Sequence, residues 1–184
     1  MRVLFIVCFL GLLVLALGGC RFHSTIDLDN PEFPRYKIRP WDLSEKLLEK
    51  YSVGNVIVEP RIWFSHQTVK NPVKTYHLGV LFFSKTNTSS AVVSSVSVLL
   101  NGKEFPYGNE LIGRPSTDWK VSPEDSTFYI RSVEGEPIDQ PETSLLKARV
   151  DVSLVVEVMD KRGEATKKQI DTYFVPKKRR QFKW

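Results

Sequence analysis

The segment Val150–Val158, VDVSLVVEV, decides the fold class because its apolar residues stand at every second position. This alternation is typical of an antiparallel strand with one face in a hydrophobic core and the other in solvent. We therefore predict that Leu154 is buried and that Ser153 lies on the solvent face. Asp160–Gly163 is the predicted turn after this strand, and the returning strand is expected to end at Pro176, which has no N–H to donate.

The same period of two recurs from residue 55 to residue 175, so we expect about seven strands. Asn101–Gly102 favours a two-residue type I′ hairpin, whose two central residues both need a positive φ. These patterns predict an all-β, antiparallel two-sheet sandwich of immunoglobulin-like architecture, and a small barrel is the alternative. The predicted strands are residues 55–64, 73–85, 92–101, 103–107, 127–132, 147–159 and 167–175.

One short helix is predicted over Asp42–Tyr51, before the first strand. Asp42 suits the N-cap, and Glu45 three residues later completes a capping box. A helix of about ten residues is marginal by itself, so its apolar face must pack against something. We expect it to pack on the protein's own sheet, and a partner protein is the alternative. The apolar face consists of Leu43, Leu47, Leu48 and Tyr51.

The N-terminus has the features of a secretory signal peptide: the basic start Met1-Arg2, the apolar run Val3–Leu17 and small residues after it. The ending Leu17-Gly18-Gly19-Cys20 resembles the lipobox of bacterial lipoproteins. The resemblance implies that the Cys20 thiol receives a diacylglycerol, that residues 1–19 are removed, and that the new amino group is acylated, typically with palmitate. The alternative is an uncleaved signal anchor with an ordinary thiol at its end.

The resemblance also implies a location. The position after Cys20 is Arg21 rather than the aspartate that retains lipoproteins in the inner membrane, which implies the outer membrane, facing the periplasm. Cys8 lies in the removed segment, so the mature chain has no cysteine pair for a disulfide. We expect residues 20–40 to be the lipidated cysteine and a flexible tether, residues 41–176 the domain, and residues 177–184 a separate tail.

The net charge of +5 is concentrated in that tail. Residues 21–176 carry 20 cations and 21 anions, and residues 177–184 carry five cations. A nucleic-acid-binding protein needs a basic face on its folded body, so we exclude that class. We predict that the tail binds an anionic surface or an acidic partner, and the alternative is a solvated terminus. The candidate residues are Lys177, Lys178, Arg179, Arg180, Lys183 and Trp184.

Catalytic and metal-binding signals are weak. The chain has no G-x-S-x-G, no H-E-x-x-H and no phosphate-binding glycine loop. His66 and His77 are 11 positions apart, and we interpret His77 as a surface histidine on a strand. The acidic loop with Glu134, Glu136, Asp139 and Glu142 is interpreted as solvated rather than as a calcium site. We therefore expect no enzyme activity, no metal and no cofactor.

The sequence favours a lipid-anchored envelope lipoprotein whose periplasm-facing sandwich is a binding or structural subunit of a cell-envelope assembly. Its expected partners are the membrane, through the lipid anchor, and an envelope protein. The alternatives are an inhibitor or soluble-ligand-binding module, and an envelope hydrolase. Long loops on a rigid sandwich are common binding sites, so residues 108–126 and 134–143 are candidates.

Overall fold

The structure is a computed structural model that describes residues 21–33, 42–66, 74–86, 88, 90–105, 108–122, 128–131 and 148–183. It contains one α-helix, α1 (Glu45–Tyr51), and a 3-10 helix (Asn109–Leu111) within these residues. The strands are β1 (Arg21–Asp29), β2 (Ser52–Val53), β3 (Val56–His66), β4 (Lys74–Ser84), β5 (Ser90–Leu100), β6 (Lys103–Glu104), β7 (Lys120–Val121), β8 (Phe128–Arg131), β9 (Val150–Met159) and β10 (Ala165–Lys183).

The strands form two five-stranded sheets, which confirms the predicted antiparallel two-sheet sandwich. One sheet has the order β1-β10-β9-β5-β6 and the other the order β2-β3-β4-β8-β7. The chain divides into two compact units, Leu28–Pro176 and a smaller unit of Met1–Asp27 with Lys177–Trp184. The smaller unit holds, among the residues described, the first part of β1 and the last part of β10.

Strand β9 has the register that its sequence predicts. Leu154 is fully buried and Ser153 is partly exposed, so the two faces are assigned correctly. Both sheets contribute to one hydrophobic core. Inward-facing residues of β3, β4 and β9 supply much of this core, and β9 alternates between buried and partly exposed residues from Val150 to Glu157. The inward-facing residues of these three strands include Val56, Val58, Ile62, Leu78, Val80, Phe82, Val150, Val152, Leu154, Val156 and Val158.

The order of neighbours can be compared with that of immunoglobulin domains. In those domains A-B-E-D form one sheet and C-F-G the other. Here β3-β4-β8-β7 and β5-β9-β10 follow the same order, with β1, β2 and β6 in addition. The order of neighbouring strands therefore agrees with an immunoglobulin-like arrangement. The full immunoglobulin-like topology stays a prediction.

Two expectations about the chain ends are wrong. Residues 21–29 form strand β1 of the first sheet, whereas the sequence predicts a tether. Residues 34–40 of the predicted tether lie outside the described residues. Strand β10 continues to Lys183, whereas the sequence predicts that Pro176 ends it. The ladder between β9 and β10 ends at the Phe174–Val150 pair. Pro176 lies past that point, so its missing N–H costs no hydrogen bond to β9.

The helix packs on the protein's own core, as predicted. Leu43 and Tyr51 are buried, and Leu47 and Leu48 pack against the core cluster. The predicted N-cap is wrong: among the described residues the N-cap is Ser44, whose side chain makes no capping hydrogen bond. The Ser44 carbonyl instead accepts the N–H groups of Leu47 and Leu48, both at 2.9 Å.

The Asn101–Gly102 turn is confirmed. Both residues have a positive φ, 50° and 77°, and they join β5 to β6. Part of the predicted loop 108–126 is also ordered, because it pairs with the edge of β5. The N–H of Gly113 donates to the Val93 carbonyl at 2.9 Å, and Ser116 and Ala91 exchange two backbone hydrogen bonds. This pairing covers backbone groups that an edge strand otherwise exposes.

Candidate functional site

A groove that carries five charged side chains, with a cavity volume of about 370 Å³, lies on the outer face of β5, β9 and β10. The strand register places residues of β5, β9 and β10 side by side in rows across the sheet. Two such rows share the outer face, because residues two positions apart on a strand point to the same side. One row pairs Ser97 with Ser153 and Ser153 with Asp171, and the other pairs Leu99 with Asp151 and Asp151 with Tyr173. The groove is completed by Glu32, Lys50 and Arg149, with Val152 and Thr172 also on its lining.

One side of the groove is built by a hydrogen-bond network around Glu32. Its Oε2 accepts a hydrogen bond from the Lys50 ammonium at 2.6 Å and from the Tyr51 hydroxyl at 2.7 Å. Burial by itself raises the pKa of Glu32, but these two hydrogen bonds and the nearby positive charges outweigh it, so the pKa is lowered. Glu32 is therefore ionised at neutral pH and holds Lys50 at the groove.

The buried Asn30 fixes the segment that carries Glu32. Its Oδ1 accepts hydrogen bonds from the backbone N–H groups of Glu32 at 2.9 Å and Phe33 at 3.2 Å, which is an Asx-type turn. Its Nδ2 donates to the Thr172 hydroxyl at 2.9 Å. Thr172 in turn hydrogen-bonds Tyr51 at 2.7 Å. Burial is the largest cause that raises the pKa of Tyr51, so the phenol stays protonated.

Asp171 is the third carboxylate on the groove lining. A hydrogen bond from Ser153 is the main cause that lowers its pKa, and Gln169 and the charge of Lys50 add to it. Gln169 Nε2 lies 3.0 Å from Asp171 Oδ1. The side chain is exposed, so its negative charge is accessible from solvent.

Arg149, Asp151 and Tyr173 form the other end of the groove. Arg149 Nε donates to Asp151 Oδ1 at 2.7 Å. The guanidinium carbon lies 4.2 Å from the centroid of the Tyr173 ring, a cation–π arrangement. The planar guanidinium is thereby held over the sheet while more than half of the Arg149 side chain stays exposed.

This arrangement is suited to polar recognition. The lining carries three carboxylates and two cations, and Glu32 and Asp151 are each paired with a cation. Asp171 is therefore the acid that leaves the groove with a surplus negative charge. Ser153 has Asp171 beside it, but the histidines at positions 66 and 77 belong to β3 and β4 of the other sheet.

A second cavity of about 390 Å³ lies beside β8 on the other sheet. Asp118, Lys120 and Tyr129 are its polar residues with long side chains. Part of the loop predicted to bind, residues 115–118, contributes to its wall. The first groove has the denser set of ion pairs and hydrogen bonds, so we regard it as the stronger candidate.

The structure places the predicted surface-binding residues on a strand. Lys177 and Lys178 are exposed residues of β10, and positions 179, 180 and 183 follow on the same strand. Cys20, Trp184 and the acidic loop 134–143 lie outside the described residues, so those predictions stay untested. His77 is partly exposed on β4, on the face opposite the buried Leu78 and Val80, as predicted.

Sequence reasoning did not identify the groove. The alternation in β9 correctly predicts that Ser153 lies on the solvent face, but it gives no sign of a common site. The available signal was a concentration of charge on the outer positions 149, 151 and 171, which pairing of β9 with β10 brings together. No comparable pattern in the sequence indicates that Glu32 and Lys50 belong to the groove.

Comparison with known proteins adds no relative. No protein-family model, no curated protein and no solved structure matches the chain. Within the described residues, none of the helices is long and apolar enough to cross a membrane. The same part of the chain contains no cluster of three His, Cys, Asp or Glu residues that is arranged to hold a metal ion.

Proposed function

We propose that the chain is a lipid-anchored envelope lipoprotein without enzyme activity, and that its sandwich is a binding or structural subunit of a cell-envelope assembly. The lipobox-like ending at Cys20 supports the anchor, and Arg21 after it supports the location at the outer membrane, facing the periplasm. The groove on β5, β9 and β10 is the observation that carries the binding role.

The groove is suited to binding because its charges are already ordered. Lys50 is held by Glu32, and Arg149 is held by Asp151 and Tyr173. A partner that binds here does not have to order these long side chains, which lowers the entropic cost of association. The surplus charge of Asp171 favours a partner that brings a cationic or hydrogen-bond-donating group into the groove.

The test compares two aspartates, one in each cavity. The protein is extracted from native envelopes in mild detergent, and the proteins that co-purify with it are quantified for Asp171→Asn and for the control Asp118→Asn. Loss of one charge-assisted hydrogen bond, about 1.5–3 kcal/mol, is expected to weaken partner binding roughly ten-fold or more for Asp171→Asn only. Equal retention of the partner by Asp171→Asn and wild type would exclude the groove as the binding site.

A soluble-ligand-binding module is the second candidate. The groove volume falls within the range of small-molecule sites, about 300–1,000 Å³. The charged side chains on its lining favour a small charged ligand. A ligand that raises the melting temperature of wild type but not of Asp171→Asn would favour this function over the assembly role.

A further inference from the structure

The segment after Cys20 and the segment after Pro176 lie in one compact unit of the structure. Strand β1 starts at Arg21, directly after the lipobox cysteine, and β10 ends at Lys183. The two strands are hydrogen-bonded neighbours. Residues 21–27 and 177–183 belong to the same unit, which we name the basic ribbon.

The basic ribbon holds the positive charge of the protein. Residues 177–183 contain five cations, and the segment 21–27 contributes Arg21 and Asp27, whose charges cancel. The larger unit, residues 28–176, has 19 cations and 20 anions and a net charge of −1. An anionic surface therefore attracts the basic ribbon and not the sandwich.

We propose that the basic ribbon is a membrane-contact element, in which cations at the end of β10 bind anionic lipid headgroups beside the lipid attached to Cys20. This inference rests on the proposed lipidation. An acyl chain and a polybasic segment are two separate membrane signals, and together they hold a protein more firmly than either one. The strand pairing brings the two signals into one element.

The dimensions fit this role. Seven residues of an extended strand span about 23 Å at roughly 3.3 Å per residue. All five cations of residues 177–183 therefore lie within about 23 Å of strand, next to the strand that starts after Cys20. The side chains of Lys177 and Lys178 are exposed.

The strand also removes a cost that a disordered tail has. Ordering the backbone of a residue costs about 1–2 kcal/mol of conformational entropy. Because residues 177–183 already belong to strand β10, their cations approach a surface without ordering the chain again. Each cation near an anionic surface then strengthens binding about five-fold.

The test measures lysine reactivity in the full-length, membrane-extracted protein. The protein is reconstituted into vesicles of phosphatidylcholine alone or mixed with phosphatidylglycerol, and a membrane-impermeant amine reagent is added. We expect Lys177 and Lys178 to react about five-fold more slowly in the anionic vesicles, and salt at about 0.5 M to remove this protection. Lys161, in the β9–β10 turn at the other end of β10, is the internal control and should react equally in both vesicles.

Two variants with the same loss of charge complete the test. Arg179→Gln/Arg180→Gln should remove most of the protection of Lys177 and Lys178, whereas Lys161→Gln/Arg162→Gln should leave it unchanged. The proposal would be overturned if Lys177 and Lys178, like Lys161, each reacted at the same rate in neutral and in anionic vesicles. That result would favour an acidic protein or solvent as the partner of β10. Measurement of the intact mass separates failure of the membrane-contact proposal from failure of the proposed lipid anchor. A protein that carries the acyl mass but shows no protection of Lys177 and Lys178 would refute only the membrane contact. A protein without acyl mass would refute the anchor itself.

Discussion

Replacing Tyr51 by phenylalanine tests the hydrogen-bond network that positions Glu32. The Tyr51 ring is fully buried, and its hydroxyl lies 2.7 Å from both the Thr172 hydroxyl and the Glu32 carboxylate. A hydrogen bond to a charged group contributes about 1.5–3 kcal/mol, and Lys50 and Asn30 still satisfy the two partners after the change. We therefore expect Tyr51→Phe to lower the free energy of unfolding by about 2 kcal/mol at pH 7.

The effect should depend on pH with a known sign. The native pKa of Glu32 is lowered, partly by the Tyr51 hydrogen bond, so this stabilisation is present above the unfolded-state pKa and is lost as pH falls through the native pKa. The difference between wild type and Tyr51→Phe should therefore be smaller at pH 3 than at pH 7.

The assay is equilibrium urea unfolding followed by far-UV circular dichroism at both pH values. Tyr173→Phe is the matched control, because this ring packs under Arg149 on the outer face, and it should change stability by less than about 0.5 kcal/mol. If both variants lose the same stability, or if the loss at Tyr51 is the same at pH 3 and pH 7, the proposed role of the hydroxyl is wrong.

Three further outcomes test the core, a turn and the anchor. Leu154→Ala should cost about 2–5 kcal/mol in a urea titration and Ser153→Ala less than about 0.5, and equal costs would contradict the register of β9. Gly108 and Gly113 both have a positive φ, but a Cβ at Gly108 would lie 2.9 Å from a buried leucine whereas Gly113 faces open space, so Gly108→Ala should lower the melting temperature more. Cys20→Ser should accumulate as an unprocessed precursor by intact mass, and normal processing would refute the lipid anchor.

The sandwich was predictable because several of its strands, β9 above all, place apolar residues at every second position. In β9, five apolar residues face the core. Burial of this face favours one strand register, because a shift by one residue would turn these side chains to the solvent. The helix face from Leu43 to Tyr51 was predictable for the same reason, because its spacing defines one apolar side. The N-cap was not, because Asp42 and Ser44 are both good caps and the choice depends on how the preceding chain arrives.

The end strands and the groove were not predictable from local pattern. Residues 21–29 mix charges with apolar residues, and β1 becomes a strand through its pairing with β10. Pro176 normally marks the end of a strand, but here it lies past the ladder with β9. The groove requires Glu32, Lys50 and Asp171 together. These positions are far apart in sequence, and only the tertiary structure brings them to one place.

If the chain is exported as we propose, the pairing of β1 with β10 also constrains the order of events during export. Asp29 and Ala165, the nearest ends of these strands, are 136 positions apart along the chain. The segment after Cys20 therefore has no strand partner until the residues of β10 have been translocated. If Cys20 is processed as we propose, the modifying enzymes meet a segment that is not yet paired, and completion of the sheet follows only when β10 arrives. Non-local pairing of this kind is slow compared with local contacts, which leaves time for the modification before folding closes the site.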